Sequence, residues 1–165
     1  PMEVCLQFGG LTHYFVENGL GRRIDQEEAL AILKKGIDAA LVPQVGSSQN
    51  PGGLCLCCSC CCGPLREYKK HDKPAQWTNS NYYAAVDADA CTACGVCENR
   101  CQMEAITIED YSMIDLDRCI GCGLCVPTCE FDAVKMVKKP DSEQWTPQPD
   151  FFSAVMDIYN ERREA

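Results

Sequence analysis

Histidine is nearly missing from this chain. Its 165 residues include only His13 and His71, and no Ser/His/Asp arrangement or phosphate-cradling glycine loop can be assembled from what remains. Nothing in the sequence therefore points to an enzyme in its own right. His13 sits in a short helical stretch, where a packed or solvated side chain is the plain reading. Long apolar runs are missing too. The longest uncharged Cys-rich stretch, Ser47 to Leu65, is interrupted by Pro51, Gly52, Gly53, Gly63 and Pro64, so it cannot serve as the ~20 apolar residues of a membrane span. The opening PMEVCLQFGG has neither a basic n-region nor an apolar h-region, and no secretory leader is expected from it. These absences point to a soluble protein of the cytoplasm.

Basic charge is scarce where acid is dense. Residues 1–80 balance eight basic against eight acidic side chains, whereas residues 81–136 set ten acids against Arg100, Arg118 and Lys135. A nucleic-acid surface on that segment is excluded by its sign. The charge suits steering towards a basic patch on a protein redox partner, and it also serves solubility.

What is plentiful is cysteine, with fifteen residues. A disulfide-stapled secreted scaffold would want an even number spread out to close long loops. Here the count is odd and the cysteines fall in tight C-x-x-C runs, which suits metal ligation in a reducing compartment.

The segment DADACTACGVCENRCQMEAITI matches DLDRCIGCGLCVPTCEFDAVKM at an offset of 28 residues. Asp87 pairs with Asp115, Asp89 with Asp117, and the four cysteines Cys91, Cys94, Cys97 and Cys101 pair with Cys119, Cys122, Cys125 and Cys129. Such a duplication implies two copies of one supersecondary unit about a pseudo-two-fold axis. Each copy reads as strand, cysteine loop, short helix and second strand. ITIEDYSMID reads as the hairpin joining the copies, with Glu109 and Asp110 in its turn.

Within each copy the spacing is C-x2-C-x2-C-x3-C. Three cysteines at two-residue gaps wrap a loop around one iron–sulfur cube, while the fourth, on a helix pointing away, reaches the other cube. The spacing therefore predicts two [4Fe–4S] clusters, one on Cys91, Cys94, Cys97 and Cys129, the other on Cys119, Cys122, Cys125 and Cys101. Crossing the fourth ligand couples folding to cluster insertion. Val96, Met103, Ile106, Ile120, Leu124, Val126, Phe131 and Val134 are the candidate walls, and Gly95, Gly121 and Gly123 leave backbone N–H groups free to approach sulfur. Paired zinc sites use C-x-x-C as well, but zinc rarely needs eight cysteines in crossed quartets.

These motifs resemble the bacterial two-cluster ferredoxins and the ferredoxin-like domains of larger redox enzymes, over about residues 82–139. The resemblance implies an α+β ferredoxin-like fold with short helices and two small antiparallel sheets. It also implies low-potential one-electron transfer, as a carrier or as a subunit relaying to a partner oxidoreductase, and no chemistry on a substrate by the domain itself. One departure stands out. The family places proline after each fourth cysteine, whereas this chain has Gln102 and Glu130, and the Glu130 charge should disfavour an added electron.

A second cysteine group, Cys55, Cys57, Cys58, Cys60, Cys61 and Cys62, fills six of eight consecutive positions. Neighbouring cysteines point apart on a regular backbone, so the six cannot all serve one cube. Three readings stand open. One is a third metal or Fe–S site drawing on Cys57, Cys58, Cys60 and Cys61 with Cys5 as a remote ligand. Another is a redox-active thiol group, and the last is packed cysteines without chemistry. The CLCCSCCCG motif resembles a family of 4Fe–4S-binding proteins from anaerobes, in which a CCxCCC segment precedes a two-cluster domain. That resemblance implies further sequence before Cys5, so that this chain is the C-terminal portion. The thiol group also motivates an alternative function, a redox-sensing regulatory protein.

The organisation expected is a partly helical segment over 1–50, the Cys-rich segment and linker over 51–81, the two-cluster domain over 82–139, and a linker with a C-terminal amphipathic helix over 140–165. Asp25 with Glu28 marks a helix start. Ala29, Ile32, Leu33, Ile37 and Ala40 form its apolar face, and Leu11–Asn18 reads as a shorter helix. Leu41-Val42 before Pro43 reads as a short strand. Asp150 caps the last helix, whose stripe of Phe151, Phe152, Val155, Met156, Ile158 and Tyr159 should dock on its own domain or on a partner.

Overall fold

Two aspartates start the longest helices. In the computed structural model, which describes residues 1–46 and 48–164, the Asp25 side chain accepts from the Glu28 backbone N–H at 2.8 Å and opens a helix over Gln26–Asp38. Asp150 does the same for the Ser153 N–H, also at 2.8 Å, at the head of Phe151–Glu164. Each satisfies one of the donors a helix start leaves without an internal partner. Ser47, first residue of the turn-rich connector, and Ala165 lie outside the described residues.

The chain divides into two units. The first comprises Pro1–Ala39, Pro43–Leu56 and Thr146–Ala165, the second Ala40–Val42 and Cys57–Trp145. In chain order the elements are β1 (Cys5–Gln7), α1 (Leu11–Glu17), α2 (Gln26–Asp38), β2 (Val42–Val45), β3 (Gly53–Cys57), α3 (Gly63–Lys70), β4 (Tyr82–Val86), α4 (Val96–Arg100), β5 (Ile106–Ile108), β6 (Ser112–Ile114), β7 (Val134–Lys138) and α5 (Phe151–Glu164). The architecture is mixed helix and small antiparallel sheets, an α+β arrangement.

The first unit contains a sheet of order β1-β3-β2, where a partly helical segment was expected to hold only one short strand. Residues such as Cys5, Leu6 and Gln7 carry little strand signal of their own, and β3 supplies it by pairing antiparallel with β1. Gly36 lies on the buried side of α2, where a Cβ would come within 2.6 Å of the Leu56 side chain of β3. The glycine that weakens this helix locally is what admits the strand beneath it. The apolar stripe of α5 stays exposed, Phe151 at 70% and Phe152 at 73%, so the expected docking onto its own domain is corrected. No helix among the described residues is long and apolar enough to cross a membrane.

The second unit contains two ladders, β4 with β7 and β5 with β6. β5 and β6 form the expected hairpin, closed at its turn by the Glu109 N–H on the Tyr111 carbonyl at 3.1 Å. Ala84, Cys97, Ile106, Cys125 and Val134 form the core beneath both ladders. Asn81 locks the chain where it leaves β7, since its side chain donates to the Trp145 carbonyl and accepts the Trp145 N–H, both at 2.8 Å. The backbone also repeats at the 28-residue offset. Ala93 and Gly121, Gly95 and Gly123, and Glu104 and Asp132 are left-handed in pairs, with φ between 50° and 77°.

The two copies differ in one element. In the first copy Asn99 N–H bonds to the Gly95 carbonyl at 3.2 Å, within the helix Val96–Arg100. At the equivalent position of the second copy stands Pro127, which has no N–H. The expected second short helix is replaced there by turns whose bonds span three residues, Val126 to Gly123 at 3.2 Å and Cys129 to Val126 at 3.1 Å.

Candidate iron–sulfur site

Two cavities open within the second unit, and the repeat lines both. One is walled by Cys119, Cys122 and Cys125 of the second copy with Cys101 of the first, closed over by Met103, Ile106, Ile120 and Leu124. The other is walled by Cys91, Cys94 and Cys97 of the first copy with Cys129 of the second, beside Val96, Phe131 and Val134. The hollows contain about 390 and 290 Å³ of space, open mouths included. None of these eight cysteines is in a disulfide. Each sulfur quartet therefore draws three members from one copy and one from the other.

The donor chemistry of this arrangement fits an iron–sulfur cube. Burial pushes the Cys122 thiol up to about 11 and the Cys125 thiol up to about 12. Thiols held that way keep their protons at neutral pH unless a metal takes the proton's place. Backbone N–H groups also point at sulfur: Ala105 N–H at 3.3 Å from Cys101 Sγ and Ser112 N–H at 3.4 Å from Cys91 Sγ. Such donors stabilise negative charge on cluster sulfur and so set its potential.

The two cavities are not equivalent, and one side chain makes the difference. Ser112 is 2% exposed, with Oγ 3.2 Å from Cys97 Sγ and 3.5 Å from Cys91 Sγ. Hydrogen bonds from the Ser112 hydroxyl and N–H hold the Cys91 thiol below its usual range. The residue 28 positions earlier is Ala84, 3% exposed and lining the other cavity, with no hydroxyl to offer. Sequence reasoning missed Ser112 because it looks like an ordinary strand residue. The signal was present in the offset pairing, which sets a serine against an alanine. Replacing Ser112 by alanine should lower the potential on the Cys91 side by on the order of 50 mV, a severalfold change in its reduction equilibrium. A spectroscopic redox titration of wild type and S112A checks it; unchanged potentials would refute the role.

Two further residues act at a distance from sulfur. Arg118 donates to three backbone carbonyls, Met103 at 2.9 Å, His71 at 3.2 Å and Lys69 at 3.4 Å. It thereby braces the end of α3 against the loop behind the Cys101 cavity. Gln102, standing where the ferredoxin resemblance expects proline, lines that same cavity. Its Oε1 accepts the Ser59 N–H at 3.0 Å and the Ser59 hydroxyl at 2.9 Å, while its Nε2 donates to the Ala40 carbonyl at 3.0 Å. A proline could make none of these bonds.

The second cysteine group is split. Cys5 lies opposite Cys55 in the β1–β3 ladder of the first unit. In the second unit Cys58, Cys60 and Cys61 bring their sulfurs within 4.8 Å of one another, the one such His/Cys/Asp/Glu group among the described residues. Cys58 and Cys60 form a disulfide, and Cys61 Sγ stands 3.3 Å from Cys58 Sγ. Cys58 is thus bridged to Cys60 across one residue, with the Cys61 sulfur beside it.

Comparison with known families agrees with this geometry. The family described as "4Fe-4S binding domain" matches twice, over residues 84–107 and 113–135. These matches support a ferredoxin-type 4Fe-4S domain with the capacity for iron–sulfur electron transfer. A comparison with curated proteins found none that matches the chain.

Proposed function

We propose that this chain carries two [4Fe–4S] clusters in crossed quartets and relays single electrons to or from a partner oxidoreductase. The first cluster belongs to Cys91, Cys94, Cys97 and Cys129, the second to Cys119, Cys122, Cys125 and Cys101, about the pseudo-two-fold axis of a ferredoxin-like fold. The observation that carries this reading is the lining of the two cavities, three cysteines from one copy and the fourth from the other. A cube held by four thiolates supplies reversible one-electron chemistry when bound.

The chain's own residues supply the rest. Eight thiols give up their protons to bind, and Ala105 and Ser112 N–H groups orient two of the sulfurs. Met103, Ile106 and Leu124, all buried, exclude water from the Cys101 side. On the other side Cys94 and Phe131 are exposed, which favours that face for exchange with a partner. All ten acids of residues 81–136 are exposed, though Glu104 and Asp117 are paired with Lys69 and Lys73 at 2.7 and 2.8 Å. The remaining acids favour a partner with a basic docking patch. Free thiols in this number suit a reducing cytoplasm, and the resemblance to proteins of anaerobes accords with oxygen-sensitive clusters.

Anaerobic purification with iron and sulfide analysis tests the reading, with EPR after reduction. About eight irons per chain and two interacting spin-half signals are expected. Zinc without acid-labile sulfide would sink it. A sensor would bind its partner in one oxidation state only, whereas a relay binds in both.

A further inference from the structure

The Cys58–Cys62 turn holds chemistry that the two quartets do not use. It links two anchored elements, β3 with Leu56 at 2% exposure and α3 with Leu65 at 1%. The Cys62 N–H closes it on the Cys58 carbonyl at 3.1 Å. Inside it are a disulfide, Cys58–Cys60, and a third sulfur, that of Cys61, 3.3 Å from Cys58 Sγ. Cys60 and Cys61 are exposed and Cys58 is half-buried, so the group is open to protons and to a second molecule.

Its position is also specified. Ser59, between the two bridged cysteines, is held through its N–H and its hydroxyl by the Gln102 side chain. Gln102 follows Cys101 in sequence and itself lines the Cys119, Cys122 and Cys125 cavity. One side chain thus joins the disulfide turn to the wall of an iron–sulfur cavity.

We infer that Cys58, Cys60 and Cys61 form a redox-active thiol–disulfide centre that takes its electrons from the reduced iron–sulfur domain of the same chain. This rests on the two-cluster reading above. Two one-electron carriers together hold the two electrons that one disulfide needs. On reduction the Cys58 Sγ–Cys60 Sγ bond breaks, two electrons and two protons enter, and both residues become thiols. Both clusters return to their oxidised state, and the protons come from water. In the oxidised centre the Cys61 thiolate is placed to attack Cys58 Sγ, forming a Cys58–Cys61 bond and releasing Cys60 as thiolate. The released Cys60 thiolate can then attack a disulfide of a second protein, forming a mixed disulfide and releasing one of that protein's sulfurs as thiolate.

The test is a stoichiometric reductive titration of the full, cluster-loaded chain with reduced methyl viologen, read by iron content, electron uptake and alkylation. Cysteine alkylation before and after reduction is located by mass spectrometry. The expected result is about eight irons, about four electrons per chain, and Cys58 and Cys60 changing from blocked to alkylated. Cys58→Ser, which removes the sulfur common to the Cys58–Cys60 and Cys58–Cys61 bonds, should lower uptake to about two electrons at unchanged iron content. Uptake of about two electrons by the wild type, with eight irons and Cys58 and Cys60 unchanged, overturns the centre and leaves the two-cluster relay intact. Bound zinc, or about twelve irons with Cys58, Cys60 and Cys61 protected, overturns it in favour of a third metal site. Absence of iron and labile sulfide overturns the two-cluster reading itself.

Discussion

Replacing Cys101 by alanine should remove the cluster of the other half. Cys101 belongs to the first copy by sequence but lines the cavity of Cys119, Cys122 and Cys125. Iron is expected to fall from about eight to about four per chain, with the Cys91 side retained. Double variants decide which quartet is lost. C101A with C119A should lose no more iron than either alone, because both remove one cluster, while C101A with C91A should lose nearly all of it. The opposite pattern would mean that each copy serves its own cube and would refute the crossed assignment. Alanine also leaves the buried Ala105 N–H without its sulfur acceptor at 3.3 Å, a cost of about 1–3 kcal/mol. Cys101→Ser restores an acceptor, so a loss of iron shared by both variants reports ligation rather than local unfolding.

How much of this was legible depends on how far apart the interacting residues lie in sequence. The doubled 4Fe-4S motif is readable because ligand geometry fixes short spacings, and the 28-residue offset repeats them. The aspartate caps and the β5–β6 turn are local as well, and the structure has them. The β1–β3 pairing is not local: Cys5 and Cys55 stand opposite each other across 50 residues, and neither segment alternates strongly enough to announce a strand. Ser112 and Gln102 act through contacts of 15 to 62 residues' separation, where single-residue identity carries no signal. The second short helix is absent for a reason visible in the sequence, since Pro127 has no N–H to donate. The α5 stripe has the right period for burial, but a period gives no information about what covers it.

Gly121→Ala should be among the most damaging single substitutions in the second unit, and its cause is steric rather than conformational. Gly121 has φ of +66°, yet its counterpart in the first copy is Ala93, which holds φ of +54° with a Cβ in place. The left-handed backbone alone therefore tolerates alanine at a cost of roughly 1 kcal/mol. At Gly121 the added Cβ would stand 2.1 Å from the Tyr82 carbonyl oxygen and 2.3 Å from Ser80 Oγ. Neither can yield cheaply. Ser80 Oγ accepts the Tyr82 N–H at 3.2 Å, and Tyr82 opens β4, paired with Lys138. Moving that strand also moves Ala84, two residues on, which lines the Cys101 cavity. With the overpacking included, the loss should be about 2–5 kcal/mol, lowering the thermal midpoint by roughly 10 °C or more. Gly123→Ala is the matched control. Its φ is +77°, but the nearest atom to a new Cβ is the Met136 sulfur at 3.8 Å, so only the conformational cost remains. Anaerobic thermal unfolding of both variants, followed by visible absorption and iron retention, should show G121A shedding the Cys119-side cluster first and G123A behaving nearly as wild type. Equal losses in the two would show that the backbone conformation, and not the approach of β4, is what requires glycine at Gly121.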